Sequence, residues 1–125
     1  MIHGIGTDIV SVSRIQEAWQ KHGDNFLHKI LTESEINYCL GKANTTQHLA
    51  GRFAAKEAIL KALGTGLSDG ISWQDINIIS NGGPCVAELS GRAKAIAQKF
   101  NIVKIFISIS HEKEYANAMC IMERD

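Results

Sequence analysis

Two hydrophobic rhythms run along this chain. Residues 102–110 alternate, with Val103, Ile105, Ile107 and Ile109 on one face and Lys104, Ser108 and Ser110 on the other. That two-residue repeat predicts a half-buried strand. Residues 46–63 follow the helical repeat instead. Leu49, Phe53, Leu60 and Leu63 make one stripe, and Ala55, Ala58, Ile59 and Ala62 cover most of the opposite side. A helix apolar or small nearly all round is predicted to be buried rather than to lie on a surface.

Other elements fall around these two. Residues 2–10 read as a strand in which Gly4 and Gly6 permit close backbone approach. Ser11 or Ser13 caps a helix over 13–22 that ends near Gly23, and short helices follow at 24–30 and 33–40. Thr32 and Glu35 have capping-box spacing. Gly64-Thr65-Gly66 must turn. Residues 75–80 and 85–90 form a hairpin around Asn81-Gly82-Gly83-Pro84. A helix over 91–100, the strand at 102–110, a tight connection His111-Glu112-Lys113-Glu114 and a strand over 115–123 complete the chain. Neighbouring strands with helices clustered early predict an α+β fold: a mostly antiparallel sheet packed around a long central helix.

A length of 125 residues predicts one domain over 1–125. Thirteen basic and thirteen acidic residues cancel, so no global field points to nucleic acid or to anionic membrane. Cys39, Cys85 and Cys120 are odd in number and widely spaced, which fits neither a disulfide framework nor a zinc site. Free thiols predict a reducing, cytoplasmic setting. No run is long enough to span a bilayer, and the N-terminus, with Asp8 early, does not read as a signal peptide.

The few charges on the central helix carry the chemical interest. Arg52 and Lys56 lie along one edge, Glu57 and Lys61 along another. Glu57 and Lys61 are helical neighbours. Either they form an ordinary ion pair, or both line a polar cleft. Asp8, inside an apolar strand, is either a strand-end aspartate or the second carboxylate of a hard-cation site with Glu57. Mg²⁺ typically takes one or two protein carboxylates and completes its shell with waters and substrate phosphates. His111 is either a surface residue at a turn or a ligand contact.

Several segments together resemble the holo-acyl-carrier-protein synthase family of phosphopantetheinyl transferases. They are Gly4-Ile5-Gly6-Thr7-Asp8-Ile9-Val10; Arg52-Phe53-Ala54-Ala55-Lys56-Glu57-Ala58 with Lys61-Ala62; Gly64-Thr65-Gly66; and Ser108-Ile109-Ser110-His111 with Tyr115-Ala116. The resemblance implies transfer of 4′-phosphopantetheine from coenzyme A to a serine of apo-acyl carrier protein, in a homotrimer with active sites at subunit interfaces. It implies Mg²⁺ on Asp8 and Glu57, Lys61 on the diphosphate, and Arg52 on the nucleotide phosphates. His111 would meet the coenzyme, and the amides of Gly64, Thr65 and Gly66 would face the ligand. Arg14 and Lys21, on a helix matching the family's docking helix, would meet the acidic carrier. The general base is left between Glu57, acting through water, and Asp8. The hairpin turn departs from the family's pattern: Gly82-Gly83-Pro84 stands where many members carry Gly-Lys-Pro. Two other readings remain open on the residues alone: a coenzyme A-using acyltransferase, and a non-catalytic oligomeric module that binds nucleotide or carrier protein.

Overall fold

A computed structural model describes residues 1–125. The chain runs β1 (Ile2–Ser11), α1 (Val12–His22), α2 (Asp24–Ile30), α3 (Glu33–Leu40), α4 (Thr45–Leu63), a 3₁₀ turn at Trp73–Asp75, β2 (Ile76–Ile79), β3 (Val86–Leu89), α5 (Gly91–Lys99), β4 (Ile102–His111) and β5 (Tyr115–Arg124). β1, β5 and β4 form an antiparallel three-stranded sheet in that order, and β2 and β3 form a separate hairpin. The α+β expectation holds, and α4, the longest helix, packs on β1, β5, β4, α1, α3 and β2.

The expected caps form. Ser11 accepts the Arg14 amide at the start of α1. Thr32 and Glu35 close the capping box of α3. Gly64, in the left-handed region (φ 93°), ends α4, a conformation that costs a glycine little.

The register of the sheet decides what faces α4. The inner rows read Gly4–Met122–Ile105, Gly6–Cys120–Ile107, Asp8–Ala118–Ile109 and Val10–Ala116–His111. The two glycines let the helix backbone rest on β1. A Cβ at Gly6 would stand 1.9 Å from the Ala58 carbonyl oxygen, and one at Gly4 would stand 2.0 Å from that of Ala62. Asp8 follows on the same face two residues later. Its carboxylate therefore enters the strand–helix seam instead of facing solvent.

One strand expectation is corrected. Val103 does not share the inward face with Ile105, Ile107 and Ile109; it is exposed, and Ile102 turns partly inward. The β4–β5 register shifts between Ile102 and Lys104. A bulge adds one residue there and inverts the alternation before it.

Candidate active site

Helix α4 carries two polar stripes. His48, Arg52 and Lys56 lie at four-residue steps, and so do Phe53, Glu57 and Lys61. A five-residue offset places the stripes about 140° apart around the helix. The two edges of charge therefore face different surroundings.

On the β1 side, Asp8 and Glu57 line one open cleft of about 710 Å³ with Arg14, Ile15, Phe53 and Tyr115. Lys61 reaches over β1, donating to the Asp8 carboxylate at 3.2 Å and to the Thr7 carbonyl at 2.9 Å. The Glu57–Lys61 pair read as one alternative in the sequence does not form; Lys61 takes Asp8 instead, and Glu57 has no ion-pair partner. Burial first, then the neighbouring Asp8 charge, raise the Glu57 carboxyl above its ordinary range, against a smaller opposing pull from Lys61. Two carboxylates thus face each other with one exposed ammonium beside them. No cluster of three or more metal-ligating side chains exists anywhere in the chain. Such a two-carboxylate set suits a hard cation that keeps waters and takes phosphate oxygens, not a fully caged one.

The other side of α4 is dry. Lys56 is wholly buried and pairs with buried Glu35 at 2.7 Å. Its ammonium also donates to the Trp73 carbonyl at 3.1 Å, while Glu35 accepts the amides of Thr32 and Ile78. Lys56 is therefore not one of the cations facing the cleft. Glu35 escaped attention because its capping-box role accounted for it fully; its second partner lies 21 residues away and comes only from folding.

Arg52 is also buried. It donates to the Ser80 hydroxyl at 2.6 Å, and its guanidinium stacks 4.3 Å over the Tyr38 ring. Its Nε is buried and has no partner. Tyr38, His48 and His111 follow as an edge-to-face series, with ring centroids 5.6 Å and 4.6 Å apart. His111 Nδ1 lies 2.9 Å from Gln47 Oε1. Desolvation first, then His111, Arg52 and Lys42, lower the His48 pKa to about 4, so its ring is neutral at ordinary pH. His111 sits on β4, at the sheet edge opposite Asp8, with β5 between them. Sequence reading had singled out Arg52 and His111 but missed Tyr38, Gln47 and His48, which have no charge pattern to mark them.

The Gly64-Thr65-Gly66 expectation is corrected. All three backbone amides point back at the Leu60 carbonyl, at 3.0–3.3 Å. They close the helix end and are not free donors for a ligand. Arg14 and Lys21 are exposed on α1, seven residues apart and hence on one face; Arg14 also lines the Asp8–Glu57 cleft. Burial pushes the Cys39 thiol up to about 11 and that of Cys120 up to about 12, so neither suits a thioester nucleophile.

Comparison with known proteins identifies the family. Residues 4–120 match the model of the 4′-phosphopantetheinyl transferase superfamily. The chain is 44% identical over 126 residues to a holo-[acyl-carrier-protein] synthase of Geotalea daltonii, covering 99% of this chain and all of the other. It superposes on the crystal structure of that synthase from Neisseria meningitidis with a TM-score of 0.90 and 36% identity, over 99% of this chain and 100% of that one. It also superposes on the Helicobacter pylori synthase in complex with coenzyme A, with a TM-score of 0.84 and 36% identity, over 95% and 99% of the two chains. With the match running through both polar stripes of α4, the chain belongs to the 4′-phosphopantetheinyl transferase superfamily.

Proposed function

We propose that this chain is a holo-[acyl-carrier-protein] synthase. It transfers 4′-phosphopantetheine from coenzyme A to a serine of apo-acyl carrier protein and releases adenosine 3′,5′-bisphosphate, serving fatty acid biosynthesis. The observation that carries this reading is the Asp8–Glu57 pair, brought together from β1 and α4 in an open cleft with Glu57 left without a cation.

The serine oxygen attacks the β-phosphorus of coenzyme A. The bond from that phosphorus to the bridging oxygen breaks, and the 3′,5′-ADP leaves with the bond's electron pair. Asp8 and Glu57 would hold Mg²⁺, which would supply charge neutralisation at the diphosphate. Lys61, half-exposed, leaves Asp8 for the diphosphate and stabilises the charge that develops on the leaving group. The serine proton passes to a carboxylate of this pair, Glu57 acting through water or Asp8. Positioning supplies much of the remaining rate, as is general for phosphoryl transfer.

The nucleotide end falls to Arg52 and His111. The orphaned Arg52 Nε supports a phosphate contact. Because these groups flank α4 on the side away from Asp8, one coenzyme would reach both halves most readily across two subunits. The outer sheet face supports that assembly: Ile5, Ile9, Phe106, Tyr115 and Met119 are all exposed, and Ile9 keeps 67% of its surface. Further copies packed head-to-tail would cover this patch. A head-to-tail contact forms a ring where its rotation closes, and the family resemblance makes that ring a homotrimer. One domain over 1–125 carries the activity. Arg14 and Lys21 meet the acidic carrier. No helix is long and apolar enough to cross a membrane, and the three free thiols favour the cytoplasm.

The test is to incubate the protein with apo-carrier, coenzyme A and Mg²⁺ and to weigh the carrier. The expected gain is one phosphopantetheine, abolished by EDTA. Transfer of an acyl group that persists in EDTA would establish the acyltransferase reading instead, and binding without 3′,5′-ADP release would establish the non-catalytic module.

A further inference from the structure

We infer that Gln47 is a positioning residue for the coenzyme: it fixes the tautomer and ring orientation of His111. The inference rests on the proposed contact between His111 and coenzyme A. Gln47 lies at the start of α4, one residue before His48, and reaches across to the last residue of β4. Its Oε1 accepts from Asn44 Nδ2 at 3.2 Å and stands 2.9 Å from His111 Nδ1. An amide oxygen only accepts, so the hydrogen of that second contact sits on the imidazole. The neutral His111 ring is therefore the Nδ1–H tautomer, and Nε2 is left as the unprotonated nitrogen with no partner in the protein.

The surroundings reinforce the choice. His48 stands edge-to-face against His111, with centroids 4.6 Å apart. Held neutral, it sets no like charge against a proton on His111. Gly51 of α4 lies close by: a Cβ there would crowd Ile109 at 3.0 Å and make only an ordinary contact with His111 Cδ2 at 3.7 Å. The ring is thus tied at Nδ1 and packed against His48. Nε2 can accept from a ligand donor such as an exocyclic amine, or pick up a proton and donate to a phosphate oxygen. Free to rotate, His111 would offer either nitrogen in many orientations, and ordering it would be a cost of binding.

The test uses the full-length protein labelled with ¹⁵N, with the His111 ring signals identified by their loss in His111→Asn. In the unsubstituted protein the proton is expected on Nδ1 and not on Nε2. In Gln47→Leu, which cannot accept, the Nε2–H form should appear. The KM for coenzyme A should rise about fivefold, the worth of one ordinary hydrogen bond, with kcat nearly unchanged. Gln47→Glu keeps an acceptor at the same reach and should restore both the tautomer and the KM, even if Gln47→Leu proves poorly folded. A proton found on Nε2 in the unsubstituted protein, or a tautomer ratio indifferent to Gln47→Leu, overturns the inference. An unchanged KM in His111→Asn overturns it by another route, by removing the coenzyme contact on which it rests.

Discussion

Two lysines five residues apart on one helix have opposite fates. Lys56 and its partner Glu35 have no exposed side-chain surface and meet at 2.7 Å; Lys61 and Asp8 meet at 3.2 Å with 51% and 18% of their side chains exposed. The first pair is saturated. Its ammonium takes a further carbonyl and its carboxylate takes two amides, so nothing remains to offer a substrate. The second pair is open on one side and lies beside a carboxylate that has no partner. Identical chemistry serves architecture where water is excluded and stays available for reaction where it is not. The pKa directions follow the same division: burial is the larger influence on Lys56, lowering it against the pull of Glu35, while Glu57 is raised by burial and by Asp8 together.

The sharpest way to break this comparison is Lys56→Met. Leaving Glu35 charged and unpaired in a dry site should cost about 3–5 kcal/mol of stability, read as a fall in the urea midpoint. A midpoint close to that of the unsubstituted protein would show that the buried pair holds nothing together.

Glu57→Gln and Asp8→Asn should do the reverse on the open side. Transfer should drop by about 100-fold or more, the scale of losing a metal's charge stabilisation of several kcal/mol, while folding is kept. Glu57→Gln should also melt higher at neutral pH in the absence of metal. Its folded-state pKa is raised, so the ionised carboxylate opposes folding above that pKa. The opposition fades as pH falls toward the unfolded-chain value, and the advantage of the substitution should fade with it. Normal turnover in either variant at limiting Mg²⁺ removes that residue from the metal site.

Lys61→Ala sharpens the contrast with Lys56. An exposed pair contributes at most about 1 kcal/mol, so the melting point should barely move, whereas turnover should fall at least about tenfold. A large loss of stability with turnover retained would make Lys61 structural after all.

The last prediction concerns the pH dependence set by His48. Its pKa is lowered from 6.5 to about 4 in the folded chain. The unfolded chain therefore takes up a proton first, and stability is lost as pH falls between those two values. His48→Phe should flatten that part of the stability profile; an unchanged slope would show that His48 is not held neutral.

Much of this molecule was legible before folding. The elements, the caps at Ser11, Thr32 and Gly64, and the burial of α4 follow from local periodicity and side-chain preferences, which act over a few residues. The Val103 error came from a one-residue bulge, which leaves no mark in an alternating run. The Gly64–Gly66 error had a different source. A glycine turn after a helix can cap it or cradle an anion, and only the three amides on the Leu60 carbonyl decide between them.

What the sequence determined by itself, then, was which residues carry chemistry and which secondary element holds each one. Tertiary structure alone decided their partners. Asp8 and Glu57 are 49 positions apart, and Glu35 and Lys56 are 21 apart. Charge pairing acts through space at a few ångströms, so a row of acids and bases along the chain does not say which will neutralise each other. The glycines of β1, the register of the sheet and the turn of α4 bring Lys61 to Asp8, leave Glu57 unpaired, and set Arg52 and His111 on the far side.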